Sequence, residues 1–400
     1  MSRRRAWTAG AVALVVFSVA LVPAAAAAGS GLSRATTGGS LERASAPASG
    51  PSDRAAETVA DMTTAEQAAS VVMGHISTTD PSALRAYMAQ GLGGFILMGG
   101  NIPATGAELK TITAALAPDP DLPPLIAIDQ EGGIVSRLSG DAYPSSTTLK
   151  TLPVEQTSAA FSARASLVAQ ADITVNFGTV ADVTADPSSF IHGRALGTDP
   201  RSSADRVAAA TDAQEHFLAS TLKHFPGHGA APGDSHHAIP RTTETLEQWR
   251  ASDAIPFAAG IDAGASVLMF GHLAYTAIDA APASLSPRWH EIARDELGFD
   301  GVIVSDDLGM LQSSGVADYA DPVQNAVSAL AAGTDLVLMI AGSTDQTAGQ
   351  IVSGVTAAVD SGALPAERLA DAATRVMALR LQSSASSADW TLCDDCAPVD

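Results

Sequence analysis

Short, nearly continuous apolar runs recur along the chain. They fall at 71–76 (VVMGHI), 93–99 (GGFILMG), 124–130 (PLIAIDQ), 173–183 (ITVNFGTVADV), 220–225 (STLKHF), 266–272 (SVLMFGH), 301–307 (GVIVSDD) and 334–340 (TDLVLMI). Amphipathic segments separate them, including 106–117, 155–171, 203–219, 244–264 and 321–333, and a pair at 345–358 and 365–381 closes the pattern. A strand apolar on both faces belongs in a parallel sheet covered by helices. Eight such units predict a single (β/α)8 TIM-type barrel of parallel strands. The alternative is a doubly wound open sheet, but no G-x-G-x-x-G phosphate loop follows the first strands. Two helices are expected ahead of the first strand. One lies over 54–62, and the other starts at Thr63 or Thr64 with a threonine cap and an acidic residue close behind.

Nearly every run ends in a polar residue or glycine, among them His75, Asp129, Asp182, His224, His272 and Asp306. In a barrel these ends share one face, the face on which active sites are built. Outside the barrel, residues 1–28 read as an export signal. Arg3–Arg5 precede an apolar stretch from Ala11 to Val22, and Pro23 leads into a run of alanines suited to cleavage. The rival is an uncleaved anchor, since Ala6–Ala28 is long enough to span a bilayer. With cleavage, no stable membrane insertion is expected and the protein is secreted or held in the cell envelope. Residues 29–52 read as a Gly/Ser/Ala/Pro-rich linker, 53–382 as the barrel, and 383–400 as a tail. The tail holds Cys393 and Cys396, both cysteines of the chain, read as a local disulfide with no catalytic part.

Charge and aromatic content narrow the partners. A net charge of −21 repels phosphate backbones and argues against nucleic acid. Aromatic residues make up 4% of the chain, too few for long stacking platforms.

The densest chemistry lies from Thr221 to His237 (TLKHFPGHGAAPGDSHH), where prolines and glycines exclude regular structure after Phe225. Within it, Asp234 and His236 are spaced for a carboxylate–imidazole pair, which suits general acid/base work near neutral pH. Asp306 and Asp307 end the seventh apolar run, and adjacent residues on an extended backbone point oppositely. Asp306 shares the face of Val304 and is the candidate nucleophile for an electrophilic carbon such as an anomeric centre, and Asp307 is left to cap the following loop or helix. Asp129 and Arg137 can bind the hydroxyls of a polyol, or simply pair with one another. A zinc-type site from His224, His228, Asp234 and His236 is the competing reading. No HExxH or comparable motif supports it and Lys223 opposes a cation, so neither metal nor cofactor is predicted. His75 and His272, each alone at a strand end, are expected to be structural.

KHFPGHG followed by DSH, with IDQEGG upstream and GVIVSDDLGM downstream, resembles the β-N-acetylglucosaminidase branch of glycoside hydrolase family 3 over roughly residues 60–380. The resemblance implies Asp306 as nucleophile, His236 as general acid/base with Asp234 as its partner, and sugar binding by Asp129, Arg137, Arg194, Lys223 and His224. It further implies a retaining exo-enzyme that releases terminal β-linked N-acetylglucosamine from muropeptides or chitin fragments. A β-glucosidase, β-xylosidase or phosphorylase of the same family, or a non-catalytic cell-wall sugar-binding protein, are the alternatives. Two features depart from the family pattern around the site: Ile134 stands where a basic residue usually follows EGG, and TADPSSFIHGRALG is an unusual version of the segment carrying Arg194.

Overall fold

The computed structural model describes residues 50–119, 122–231, 233, 235 and 238–386. The expected export signal, most of the linker, the Cys393–Cys396 tail, and the candidates Asp234 and His236 lie outside these residues. Folding begins slightly earlier than the sequence suggests. A helix runs over Pro51–Ala60, and its proline occupies the first turn, where a missing N–H costs no hydrogen bond. The next helix, Thr64–Ser70, starts on the predicted threonine: Thr63 and Glu66 form a reciprocal capping box.

All eight predicted strands are present, shorter than their apolar runs: β1 Val72–Gly74, β2 Gly94–Leu97, β3 Leu125–Ile128, β4 Val175–Val180, β5 Ala219–Phe225, β6 Val267–Phe270, β7 Val302–Ser305 and β8 Val337–Leu338. They pair in parallel in chain order, with β8 beside β1. A bridge between Val304 and Leu336 joins the two ends, which makes the sheet a (β/α)8 barrel. Alternation places Met73, Ile96, Ala127, Phe177, Met269, Val304 and Leu338 in its interior. Val376 and Leu379 of the last helix, Ala366–Ser386, join that cluster beside Leu125, Val175 and Val302 at the strand N-termini, so this helix plugs the bottom.

One predicted helix is two. The segment 244–264 divides into Leu246–Ala251 and Ala254–Asp262, with Ser252 non-helical at φ −133°. Pro256 is the reason: a helical proline clashes with the carbonyl four residues back, which here belongs to Ser252. A small parallel ribbon of Arg241–Thr242 and Ala274–Tyr275 adds a pairing that residues so few in number leave unsignalled. Among the described residues, no helix is long and apolar enough to cross a membrane.

Candidate active site

The C-terminal ends of the strands surround a cavity of about 520 Å³. Asp129, Arg137, Arg194, Lys223, His224 and Asp306 all line it, so the structure brings together every described residue singled out for sugar binding or nucleophilic attack. Asp234 and His236 fall outside the described residues, although Ser235 between them also lines this cavity.

The cationic side is built on β3, the β4 loop and β5. Lys223 Nζ lies 2.8 Å from Asp129 Oδ1 and 2.7 Å from Glu131 Oε1. Arg194 donates to both oxygens of the same glutamate, Nε to Oε2 at 2.9 Å and Nη2 to Oε1 at 2.7 Å. Arg137 Nη2 approaches Asp129 Oδ2 at 3.7 Å, so the Asp129–Arg137 pair exists but is looser than the Asp129–Lys223 pair. Burial alone would raise the Glu131 carboxyl, yet the two cations overcome it and hold the group down at about 2. Glu131 was not among the residues expected from sequence. The available signal was parity: it stands two positions beyond Asp129, so extended backbone aims both carboxylates to one face.

His224 is fixed by Asp182 at the end of β4. Its Nδ1 donates to Asp182 Oδ2 at 2.7 Å, and its Nε2 faces Arg194 Nη2 at 3.4 Å. Asp182 Oδ1 also accepts the backbone amides of His224 and His228, at 3.2 and 2.6 Å. Burial works against ionisation of Asp182, but His224 and the His228 amide outweigh it and its carboxyl lies below the usual range. Behind the loop, Trp249 Nε1 donates to the Pro226 carbonyl at 2.8 Å and the Tyr275 hydroxyl to that of Gly227 at 2.9 Å. These anchors belong to an aromatic cluster in which Phe225 packs against Trp249, Phe257, Phe270 and Trp289. The polar loop therefore leaves a rigid apolar wall. The peptide bonds Lys223–His224 and Phe225–Pro226 are both cis.

The two adjacent aspartates divide their tasks as their alternation predicts. Asp307 caps the helix Leu308–Ser313, accepting from Gly309 N at 2.9 Å, and also accepts the amides of Ile340 at 2.7 Å and Ala341 at 2.9 Å. Its carboxylate ties β7 to the loop after β8. Both residues line the cavity, but only the Asp306 carboxylate is left without such a structural engagement. Among the described residues no side chain forms an ion pair with it, and it accepts only the Asp307 amide, at 2.8 Å. Burial opposes its charge, but the fields of His224 and His272, the Asp307 amide and Lys223 hold its carboxyl below the ordinary value. A carboxyl held below its ordinary value, with no ion-pair partner among the described residues, at the rim of a cavity full of hydrogen-bond donors is equipped to attack an electrophilic carbon.

The two histidines expected to be structural are hydrogen-bonded. His75 Nε2 lies 3.2 Å from the Met98 carbonyl. His272 bridges Ser284 Oγ at 2.7 Å and the Asp307 carbonyl at 2.8 Å.

The chain is similar to known proteins over most of its length. A family model, the glycosyl hydrolase family 3 N-terminal domain, matches residues 38–379. A β-hexosaminidase of Pseudomonas aeruginosa is 38% identical over 257 residues, covering 62% of this chain and 75% of that protein. Among solved structures, a glycoside hydrolase family 3 β-N-acetylglucosaminidase from Paenibacillus sp. str. FPU-7 superposes with a TM-score of 0.75 at 28% identity, over 85% of this chain and 66% of that one. A β-N-acetylhexosaminidase from Beutenbergia cavernae gives 0.71 at 28% identity, over 80% of this chain and 99% of that one.

Proposed function

The chain belongs to glycosyl hydrolase family 3, and from that premise we propose that it is a retaining exo-β-N-acetylhexosaminidase acting on terminal β-linked N-acetylglucosamine of muropeptides or chitooligosaccharides. The observation that carries the reading is Asp306, an ionised carboxylate on a strand end, facing the cavity with no cation bound to it among the described residues. In this mechanism an Asp306 oxygen attacks the anomeric carbon as the bond to the leaving oxygen breaks. His236, oriented by Asp234, gives that oxygen its proton. The covalent glycosyl-enzyme is then opened by water, whose proton returns to His236, and the sugar leaves with retained configuration. Asp129, Lys223, Arg194, Arg137 and His224 bind the hydroxyls. Pairs with Asp129, Glu131 and Asp182 hold the donors in place before substrate arrives, so little ordering is required on binding.

The Pseudomonas aeruginosa relative is a β-hexosaminidase and the Paenibacillus protein a β-N-acetylglucosaminidase, and both support the choice of sugar. The test is release of nitrophenol from the 4-nitrophenyl β-glycoside of N-acetylglucosamine, with a chelator present and with the glucoside and xyloside alongside. Wild type is expected to turn over the 2-acetamido substrate preferentially, and Asp306→Ala to lose roughly a thousandfold or more in kcat. Retention of substantial activity by folded Asp306→Ala would remove the nucleophile assignment, and equal turnover of all three sugars would remove the specificity. A rate that rises with added phosphate and yields sugar 1-phosphate would point to a phosphorylase. Export through residues 1–28 is part of the same reading, checked by the N-terminal residue of protein recovered outside the cytoplasm.

A further inference from the structure

His228 belongs to the histidine-rich loop, yet nothing in the mechanism uses it. Its backbone is pinned, with the amide donating to Asp182 Oδ1 at 2.6 Å. Its ring stands edge-on to Phe190, with centroids 4.6 Å apart, and to His224 at 6.1 Å. It lines the same cavity as Asp306, Arg194 and Lys223. The residue is only 1% exposed, and among the described residues neither ring nitrogen has a hydrogen-bond partner. That sets it apart from His224 and His272, whose rings are both engaged.

A buried polar group without a partner costs about 1–3 kcal/mol, so a folded protein rarely leaves two of them on one ring unless something else supplies the partner. Burial also pushes the imidazole toward its neutral form. A neutral ring offers one donor and one acceptor, on different edges. It therefore suits an uncharged group that both donates and accepts, such as a hydroxyl or a secondary amide. Anions are already provided for by the neighbouring Lys223, Arg194 and Arg137.

Resting on the reading of this cavity as a sugar site, we infer that His228 is a substrate-binding residue whose ring hydrogen-bonds a neutral hydroxyl or acetamide group of the bound sugar. The two sources of that chemistry are separated by comparing N-acetylglucosamine with glucose. The Phe190 and His224 contacts are packing contacts that phenylalanine can reproduce, whereas the hydrogen bond is not. His228→Phe thus removes the polar atoms and keeps the ring.

The experiment is calorimetric titration of the full chain, wild type, His228→Phe and His228→Asn, with N-acetylglucosamine and with glucose, together with melting temperatures and kinetics on the 4-nitrophenyl substrate. His228→Phe is expected to weaken binding about tenfold, the worth of one neutral hydrogen bond, and to raise KM more than it lowers kcat. Its melting temperature should equal or exceed that of wild type, because an unpaired buried polar group has been removed. His228→Asn should recover part of the affinity. Loss confined to N-acetylglucosamine assigns the contact to the acetamide, and equal loss for both sugars assigns it to a hydroxyl. Binding within twofold of wild type in His228→Phe, or a lower melting temperature with unchanged affinity, overturns the inference and makes the ring a packing element. If wild type binds glucose but not N-acetylglucosamine and His228→Phe loses that binding, the choice of sugar falls while the role of His228 stands. If wild type binds neither, both fall.

Discussion

Two buried carboxylates show how this chain sets charge residue by residue. Glu131 and Asp253 are each 2% exposed, so burial penalises the charged form of both. Glu131 meets Lys223 and Arg194 and is held at about 2. Asp253 meets no cation among the described residues. Burial dominates, the Ser252 hydroxyl offsets only part of it, the repulsion of Glu244 and Asp182 adds to it, and the group is driven up to about 7. The two therefore act in opposite pH windows. Glu131, depressed from an unfolded value of about 4.3, contributes stability above that pH that is lost as pH falls toward 2, on the order of 3 kcal/mol. Asp253 favours the folded state only while protonated. Its contribution is lost as pH rises from about 3.9 through 7, on the order of a few kcal/mol. Asp253→Asn is accordingly expected to be more stable than wild type at pH 8 and to approach it near pH 4, read from urea midpoints. Glu131→Gln should show the reverse order, least stable relative to wild type near pH 6 with the gap narrowing toward pH 3. Parallel pH profiles for variant and wild type would refute either assignment.

At the scale of elements, the strands were legible because burial on both faces leaves a nearly unbroken apolar run, as in VLMF at β6 and VIVS at β7. Most helices were legible for the complementary reason, and the division at Ser252 was also available from Pro256 four residues on. The site was legible where alternation decides orientation, which separated Asp306 from Asp307. It was not legible where partners come from distant segments. That Arg194 meets Glu131, 63 positions earlier, and that Asp182 holds His224 depend on barrel closure, which spacing along the chain does not encode. The same holds for the way the loop after β5 sits on the end of β4. Gly229 lies so close that a Cβ built on it falls 1.7 Å from the Val183 carbonyl oxygen, a backbone atom that has no rotamer with which to retreat. Gly229→Ala must therefore move the loop that carries His228 and leads to His236. Displacements near 1 Å can cost on the order of a hundredfold in rate. The variant is expected to lose about that much in kcat/KM, with destabilisation limited to the 1–3 kcal/mol typical of overpacking. Wild-type kcat/KM in Gly229→Ala would show that the close approach does not position the loop.

Over the whole molecule, the barrel is closed most weakly between β7 and β8. The ladder there is the single bridge of Val304 with Leu336, where β6 and β7 share four paired positions. Asp335, fully buried just before β8, reinforces that seam from the bottom. Its Oδ2 accepts the Ile303 amide at 2.9 Å and meets Arg294 Nη2 at 2.5 Å, and its Oδ1 meets Arg368 Nη2 at 2.6 Å. Arg368 lies on the helix whose Val376 and Leu379 plug the barrel, and Arg294 bonds the carbonyls of Phe299 and Gly301 ahead of β7. One carboxylate thus ties β7, β8 and two helical segments together. Removing it leaves Arg294 with no ion-pair partner among the described residues and Arg368 with Asp371 alone, and breaking a buried pair in this way costs about 3–5 kcal/mol. Asp335→Ala is expected to lose that much in urea unfolding. Asp335→Asn keeps an acceptor for the Ile303 amide and is expected to lose less. The cavity opens at the opposite ends of the strands, so kcat of the folded Asp335→Ala fraction at low temperature should stay within about threefold of wild type, a change of under about 1 kcal/mol in the barrier. A stable Asp335→Ala would assign closure to the hydrophobic interior instead. A stable but inactive one would mean that the seam communicates with Asp306, which lies one residue beyond the β7 end.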